Sequence, residues 1–479
     1  MGNIMSTSNL LKNSGIYTIV SVLQGAIMFF LLPLYTAYLT TDDFGTLNVI
    51  ISISSLLSVF FLLTLNGAAS RFHYIHIDDQ RQIKKIWGTI CTFVIINSVL
   101  SGTVFIILHR YLLDPFAKGI DFYPFLFLGI VNTILSPLYM FFQSYLQTKQ
   151  DGVKYGINAM LNFLLNIGLI ILFVVGFKMG VAGILWANII TSALFFVYVL
   201  ITFVPKITIG FDKKILNPAF KYSLPLVPHS LSTWMMAMVD RIFINNMTGK
   251  SETGLYSVGY QFGNILNILT TAVNKAYVPW FFEKEKTKGI QQVVKVAELL
   301  TLAYCFIALG ISLYANDVLK IMVSNDFRSA WRFIPFISFA YVFRGLYYFY
   351  VNVLFLKQTK WIPVITFGSA IVGLALNFLL IPLMGSIGAS ISCLISLFIS
   401  SILALFFSMR VEKIRFNNFR MYLYSCLFFS ISLIMFLPVS INTPSFFLLK
   451  TGCYLLLLFI FAFMYKKDIL SLKTIIKRR

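Results

Sequence analysis

The chain has 479 residues, 58% of them hydrophobic and 11% charged, with a formal net charge of +21. A soluble globular protein carries about 25% charged residues, so this composition excludes one. The 38 Lys and Arg against 17 Asp and Glu would suit a nucleic-acid surface; their clustering in short loops between long apolar runs reads instead as a membrane-topology signal, with no nucleic-acid partner.

Fourteen apolar runs, each long enough for a ~30 Å hydrocarbon core, follow one another at 13–38, 44–70, 86–108, 122–146, 155–177, 180–204, 220–247, 254–282, 292–314, 331–356, 361–382, 385–409, 420–440 and 446–465. The polar start, with Lys12 its only charge, leads into a run too long for a signal-peptide core, so no cleavable signal is predicted. Basic clusters at Arg71–Lys85, Lys149–Lys154, Lys206–Lys221, Lys284–Lys288, Lys357–Lys360, Arg410–Arg420 and the tail from Lys466 all fall on one side. The positive-inside rule then predicts an even span count and both termini in the cytoplasm.

Taken in order, run 1 aligns Asn13, Tyr17 and Gln24 on one face. Run 2 ends in Asn66-Gly-Ala-Ala-Ser70 followed by Arg71, which would either receive an anionic headgroup or help set topology; His73 and His76 read as loop residues. Run 5 repeats Asn158, Asn162 and Asn166 every fourth residue, a pattern of interhelical hydrogen bonding. Run 7 contains Pro225, Pro228, His229, Thr233, Asp240 and Arg241. Eleven residues separate His229 from Asp240, close to three helical turns, so they share a face if the prolines do not rotate its start. Asp240 and Arg241 form a structural ion pair, or each pairs elsewhere around a proton-responsive, anion-attracting face. Run 8 carries a polar stripe of Ser257, Gln261, Asn264, Thr271 and Lys275, with Asn267 and Asn274 beside it. Run 10 places Arg344 near its centre among Tyr341, Tyr347, Tyr348 and Tyr350. The five cysteines have no CxxC or Cys/His spacing and read as apolar residues, with no metal site.

A charge at the bilayer centre costs ~2.5–3.5 kcal/mol on insertion scales, and such residues face a protein interior or a wet cavity. Arg241, Lys275 and Arg344 therefore mark a route for an anion. Guanidinium beside aromatic rings suits a phosphate next to sugars, and the candidate binding residues are Arg71, Arg241, Lys275, Arg344, Asn264, Thr271 and Tyr348. Asp240 and His229 are the candidates for coupling to H+ or Na+.

The chain also repeats itself. Gln147-Thr-Lys149 returns as Gln358-Thr-Lys360 (offset 211), Leu161-Asn-Phe-Leu-Leu165 as Leu376-Asn-Phe-Leu-Leu380 (215), Gly180-x-x-Gly183 as Gly385-x-x-Gly388 (205), and Gly45 with its neighbours as Gly254 (209). Six runs separate the copies, so both halves share one orientation about an axis along the membrane normal. The predicted architecture is an all-α polytopic membrane protein with 14 transmembrane helices: a lobe at 1–210, a parallel-repeat lobe at 211–415, a central cavity, and two further helices with a basic tail at 416–479. With no paired-carboxylate site, nucleotide loop or nucleophile–base pair, the sequence predicts no enzyme and no cofactor.

Several stretches resemble the Wzx-type polysaccharide flippases of the multidrug/oligosaccharidyl-lipid/polysaccharide exporter superfamily: Leu39-Thr-Thr-Asp-Asp-Phe-Gly45, Gly67-Ala-Ala-Ser-Arg-Phe72, Leu224-Pro-Leu-Val-Pro228, Asp240-Arg-Ile-Phe-Ile244 and Gly254-Leu-Tyr-Ser-Val258. The family's arginine in span 1 is missing, since Tyr35-Thr-Ala-Tyr-Leu39 stands there. The resemblance implies movement of a polyprenyl-diphosphate-linked oligosaccharide from the inner to the outer leaflet of a bacterial cytoplasmic membrane by alternating access. It would serve surface polysaccharide such as O-antigen, capsule or exopolysaccharide, alongside other polysaccharide-assembly proteins. A lipid II flippase or an ion-coupled drug antiporter of the same superfamily is the alternative, and a membrane glycan polymerase or ligase lacks the long external loop it would need.

Overall fold

The computed structural model describes residues 15–17, 20, 23–25, 29–287, 289–412, 414–436 and 444–466; Asn13 and the tail beyond 466 lie outside them. The helices are α1 Leu32–Tyr38, α2 Thr41–Leu62, α3 Leu65–Ile75, α4 Gln80–Ile107, α5 Phe127–Thr148, α6 Gly152–Ile170, α7 Gly180–Thr202, α8 Lys213–Ser223 and α9 Val227–Met247. They continue as α10 Lys250–Lys286, α11 Ile290–Met322, α12 Ile334–Lys357, α13 Trp361–Met384, α14 Ser386–Val411, α15 Asn418–Ser432 and α16 Pro444–Met464.

Among the described residues, eleven helical segments are long and apolar enough to cross a membrane. The remaining runs of the sequence are the partly described first one and those that become α9 and α10. These two helices fall short in apolarity because they carry the polar residues singled out above. The all-α membrane architecture is thus observed.

The few acids in the loops start the helices. Thr40 and Asp43 form a reciprocal capping box on α2, while Asp79, Asp151 and Asp212 accept amides at the starts of α4, α6 and α8. Each satisfies donors that a helix start otherwise leaves unpaired.

The fold divides into two compact units. The first comprises residues 1–257, 323–327 and 370–389. It takes in α1–α9, the start of α10 and the last part of α13. Its core forms where Leu65, Ala68 and Ala69 of α3 meet Trp87 and Ile90 of α4 and Phe141 of α5. His73 belongs to this core rather than to a loop: it is buried on α3, and Trp87 Nε1 donates to its Nδ1 at 3.0 Å. The helix continues past the expected loop because small Ala68 and Ala69 seat it against α4.

Between α2 and α3 the chain breaks at Leu63 and Thr64, with φ of 45° and 54°. A left-handed L-residue costs about 1–2 kcal/mol, so the break requires compensation. Asn97 Nδ2 donates to the freed carbonyls of Phe60 (2.9 Å) and Phe61 (2.8 Å). Thr64 and Ser223 exchange hydroxyl-to-carbonyl hydrogen bonds of 2.9 and 3.3 Å. This ties the break in α2–α3 to the proline-containing turn that separates α8 from α9.

The duplicated glycines meet in this unit. A Cβ added at Gly45 would lie 1.9 Å from the Lys250 carbonyl oxygen, and one at Gly254 2.1 Å from that of Thr41. Each would also stand 3.1 Å from the other glycine's amide nitrogen. The reciprocity is what a two-fold relation between copies produces where its axis passes through a helix crossing. Thr41 and Ser251 hydroxyls seal the crossing at 2.8 Å.

The second unit comprises 258–322, 328–369 and 390–479. Here α11 packs along α12 and α15, and α12 is the most enclosed of the apolar spans. Gly259 and Gly263 bring α10 against Phe333 and Ile337, the close approach that small residues permit in membranes. A cation outside the sequence-derived set lies here. Lys450 of α16 is buried, donates to the Leu313 carbonyl (3.0 Å) and pairs with Asp317 of α11.

Candidate functional site

The polar residues of the apolar runs form two constellations, one in each unit. In the first unit, Asp240 and Arg241 are both buried on α9. Adjacent positions on a helix point roughly 100° apart, and each side chain finds its own partners. Asp240 Oδ2 accepts from the Tyr256 hydroxyl at 2.7 Å and Oδ1 from Asn377 Nδ2 at 2.7 Å. Arg241 Nη1 donates to the Ala237 carbonyl at 2.5 Å, and its guanidinium stands 5.4 Å from the centre of the Tyr256 ring. Acid, base, phenol and amide make one closed knot joining α9, α10 and α13.

His229 is half-buried on the same helix. Both prolines precede it, so the helix runs unbroken from His229 to Asp240 and their shared face survives. Their axial separation is about 16 Å at 1.5 Å per residue, which makes them separate groups rather than a couple. Thr233, between them, is exposed and donates to the His229 carbonyl at 3.0 Å. The face is therefore open around His229 and Thr233 and sealed at Asp240. Arg71, in the second half of α3, is exposed and lies 4.6 Å from the Tyr222 ring centre.

Of the asparagines of the fifth run, Asn166 bonds between helices through its side chain, whereas the Asn158 side chain donates to the Lys154 carbonyl of its own helix at 2.8 Å. Asn166 donates to Asn188 (2.9 Å) and Thr191 (3.3 Å) on α7, and the Tyr139 hydroxyl donates to the Asn158 carbonyl at 3.1 Å. Gln24 reaches the Ala159 carbonyl at 3.2 Å.

The second unit brings Thr271, Arg344 and Tyr348 together. The Tyr348 hydroxyl lies 3.3 Å from Thr271 Oγ1 and accepts from Arg344 Nε at 3.4 Å. The guanidinium also lies 5.3 and 5.4 Å from the ring centres of Tyr347 and Tyr348. Lys275, one turn beyond Thr271 on α10, is exposed and within electrostatic reach of Tyr348. Asn264 accepts from Asn267 at 2.9 Å on the same partly exposed stripe. The helix runs eleven residues past Lys275, to Lys286, about 16 Å, so this ammonium sits farther from a helix end than the apolar run alone indicates.

The expected tyrosine cluster divides by role. Tyr347 and Tyr348 attend Arg344. Tyr341 instead bonds the Tyr260 hydroxyl, and Tyr350 donates to Asn418 at 2.9 Å, ties that hold helices together.

The electrostatic contrast between the constellations is sharp. Arg241 has an acid next to it. Among the described residues, no carboxylate lies within ion-pair distance of Arg344 or Lys275. A buried acid of the second unit, Glu298, is held by Asn417 and Tyr465 at 2.5 Å each and by Arg420 at 3.5 Å. A cation pair lacking a counter-charge, bordered by phenol, hydroxyl and amide groups, can accept an oxyanion.

Tyr256 and Asn377 were absent from the sequence-derived set, although both lie in stretches quoted there: Tyr256 in the Gly254-x-Tyr motif and Asn377 in the duplicated Leu-Asn-Phe-Leu-Leu.

A family model described as polysaccharide biosynthesis protein matches residues 10–285. A curated Lsg-locus protein of Haemophilus influenzae is 26% identical over 399 residues, covering 79% of this chain and 94% of that protein. An uncharacterised membrane protein of the same organism is 24% identical over 305 residues, covering 59% and 68%. Among solved structures, the fold is similar to the lipid II flippase MurJ in an inward closed conformation, with a TM-score of 0.68 and 14% identity over 92% of this chain and 100% of that one. It is also similar to an inward-facing multidrug resistance MATE family transporter of the MOP superfamily, with a TM-score of 0.58 and 17% identity over 83% and 98%. At such identities the structural likeness speaks to the fold alone, an all-α fold.

Proposed function

The chain belongs to the polysaccharide biosynthesis protein family, as its resemblance to Wzx-type flippases implied, and we propose that it translocates a polyprenyl-diphosphate-linked oligosaccharide repeat unit from the inner to the outer leaflet. The observation that carries the reading is the acid-free pair Lys275 and Arg344 beside Tyr348 and Thr271. The cations would hold the diphosphate, and Asn264, Thr271 and Tyr348 the first sugars. Arg71 would meet the headgroup at the cytoplasmic mouth. Arg241 would act through the Asp240 knot, which braces the helices that must move. The two lobes of the duplication, 1–210 and 211–415, would rock about the cargo, with 416–479 as an appendix and both termini in the cytoplasm of a bacterial inner membrane.

Outward passage of a dianion is favoured by an inside-negative potential, by about 4.6 kcal/mol per 100 mV at ~2.3 per charge. Entry of H+ or Na+ through His229, the accessible group, or Asp240 would add to this. An exporter of organic cations is disfavoured because Asp240, Glu298 and Asp317 already have donors.

The test is a vesicle assay of flipped lipid-linked oligosaccharide for Arg344→Gln and Lys275→Gln. A charge-assisted hydrogen bond is worth ~1.5–3 kcal/mol, so each variant should lose about 10- to 150-fold in kcat/KM. Wild-type rates in both would sink the reading. Faster transport of lipid II than of longer-glycan carriers would transfer the same site to a lipid II flippase.

A further inference from the structure

We propose that the first unit carries a separate binding site for an anionic phospholipid of the inner leaflet, where α5, α6 and α7 meet. A cavity of about 800 Å³ opens there, and none of its lining residues belongs to either constellation described above. Its rim is basic, formed by Lys149 and Lys154 between α5 and α6 and by Lys206 after α7. A second cavity of about 300 Å³ adjoins it, sharing Tyr145, Lys149 and Lys206 and adding Lys84.

Four exposed lysines therefore frame the two spaces. The one acid in the lining, Asp151, is already committed: it pairs with Lys154 Nζ at 2.9 Å and accepts the Lys154 amide at 3.2 Å. Lys149 is steadied 4.9 Å from the Tyr145 ring centre. What remains is a positive rim at the end of the bundle marked by the lysine-rich loops, the kind of surface that attracts anionic headgroups.

The wall argues for a lipid over a soluble anion. Ile157 and Leu161 stand one turn apart on α6, Leu194 and Tyr198 one turn apart on α7, and all four line the cavity. Ile157, Leu161 and Leu194 are each more than half exposed. Their two ridges make an apolar trough leading away from the lysines, with Tyr198 at its side, a residue type enriched at membrane interfaces. A headgroup phosphate on the rim would carry its acyl chain into this trough. Inorganic phosphate would leave the trough empty.

The full chain in nanodiscs, with phosphatidylglycerol competing against phosphatidylcholine, tests this by native mass spectrometry. Wild type should retain phosphatidylglycerol at least about tenfold over phosphatidylcholine, since each unpaired lysine near the surface contributes about 1 kcal/mol. The combined Lys84→Gln, Lys149→Gln, Lys154→Gln and Lys206→Gln variant should lose that preference, and the control pair Lys213→Gln and Lys214→Gln on α8 should keep it. Leu161→Trp, which fills the trough and leaves the rim intact, should also weaken retention. Should the fourfold variant fail to fold, a photoreactive acyl-chain phosphatidylglycerol decides on wild type, by labelling α6 and α7. Equal retention by wild type and the fourfold variant, labelling confined to other helices, or displacement by inorganic phosphate alone would overturn the proposal.

Discussion

Replacing Gly254 with Ala tests the glycine crossing of α2 and α10. The new Cβ would stand 2.1 Å from the Thr41 carbonyl oxygen, and ordinary contact begins at 3.4 Å, so the helices must part by 1.3 Å (3.4 minus 2.1). The Thr41–Ser251 hydrogen bond, now 2.8 Å, cannot survive such a shift. Overpacking of this size costs about 1–3 kcal/mol. In a protein that alternates between states, that strain falls only on the state in which the crossing is closed. The population of the open state should therefore rise about 5- to 150-fold. The assay uses Thr41→Cys with Ser251→Cys in native membranes. Short bifunctional cross-linking should fall in the Gly254→Ala background, and labelling by a membrane-impermeant maleimide should rise. Gly45→Ala should do the same, since its Cβ would stand even closer, 1.9 Å from the Lys250 carbonyl oxygen. Unchanged cross-linking and labelling in a folded variant would refute the claim that only glycine lets this crossing close.

Three further sets of substitutions address how buried polarity is compensated. Tyr256→Phe or Asn377→Leu removes one of the two donors to Asp240 and should lower stability by about 1–3 kcal/mol, read as a fall in Tm of the detergent-solubilised protein; Asp240→Asn combined with Asn377→Leu should cost less than the sum of the two. Asn97→Leu orphans the Phe60 and Phe61 carbonyls and should destabilise by a similar ~1–3 kcal/mol, whereas Leu63→Gly should stabilise by about 1 kcal/mol by relieving its positive φ; Tm shifts of the opposite signs would count against this account of the helix break. Lys450→Met alone should cost about 1–3 kcal/mol, and Lys450→Met with Asp317→Asn less, because the single change leaves the partly buried Asp317 without its counter-charge.

How far the sequence could be read depended on the reach of each signal. Apolar runs long enough to cross a membrane were visible because span length is fixed by bilayer thickness. Gly45 and Gly254 were visible as matching positions, and the structure gives both a reason: nothing larger fits between the two backbones. The partners of Asp240 were not visible, because a hydrogen bond between residues 137 positions apart leaves no trace in spacing. Lys450 was hidden near the start of its run, where a lysine ordinarily reaches the interface; here Asp317 holds it inward. His73 was misplaced because a polar residue near a basic cluster resembles a loop, and only the Trp87 donor reveals why it is buried.

Under the proposed function, the treatment of the cations separates scaffold from candidate site. Arg241 sits beside a carboxylate that two further groups satisfy, and Lys450 is paired with Asp317, so folding alone compensates these charges. Among the described residues, Arg344 meets a phenol at 3.4 Å and two ring faces, and Lys275 opens to the surface of its unit. Tyrosine cannot neutralise a guanidinium, so Arg344 keeps most of its desolvation cost until an anion arrives. An anion that completes the site recovers that cost as binding energy, and a neutral cargo does not. Arg344→Lys should therefore restore only part of the transport lost in Arg344→Gln. It keeps the charge but removes the planar fork that grips two oxygens at once. Full restoration by lysine would mean that the field alone matters and that bidentate contact with the diphosphate does not.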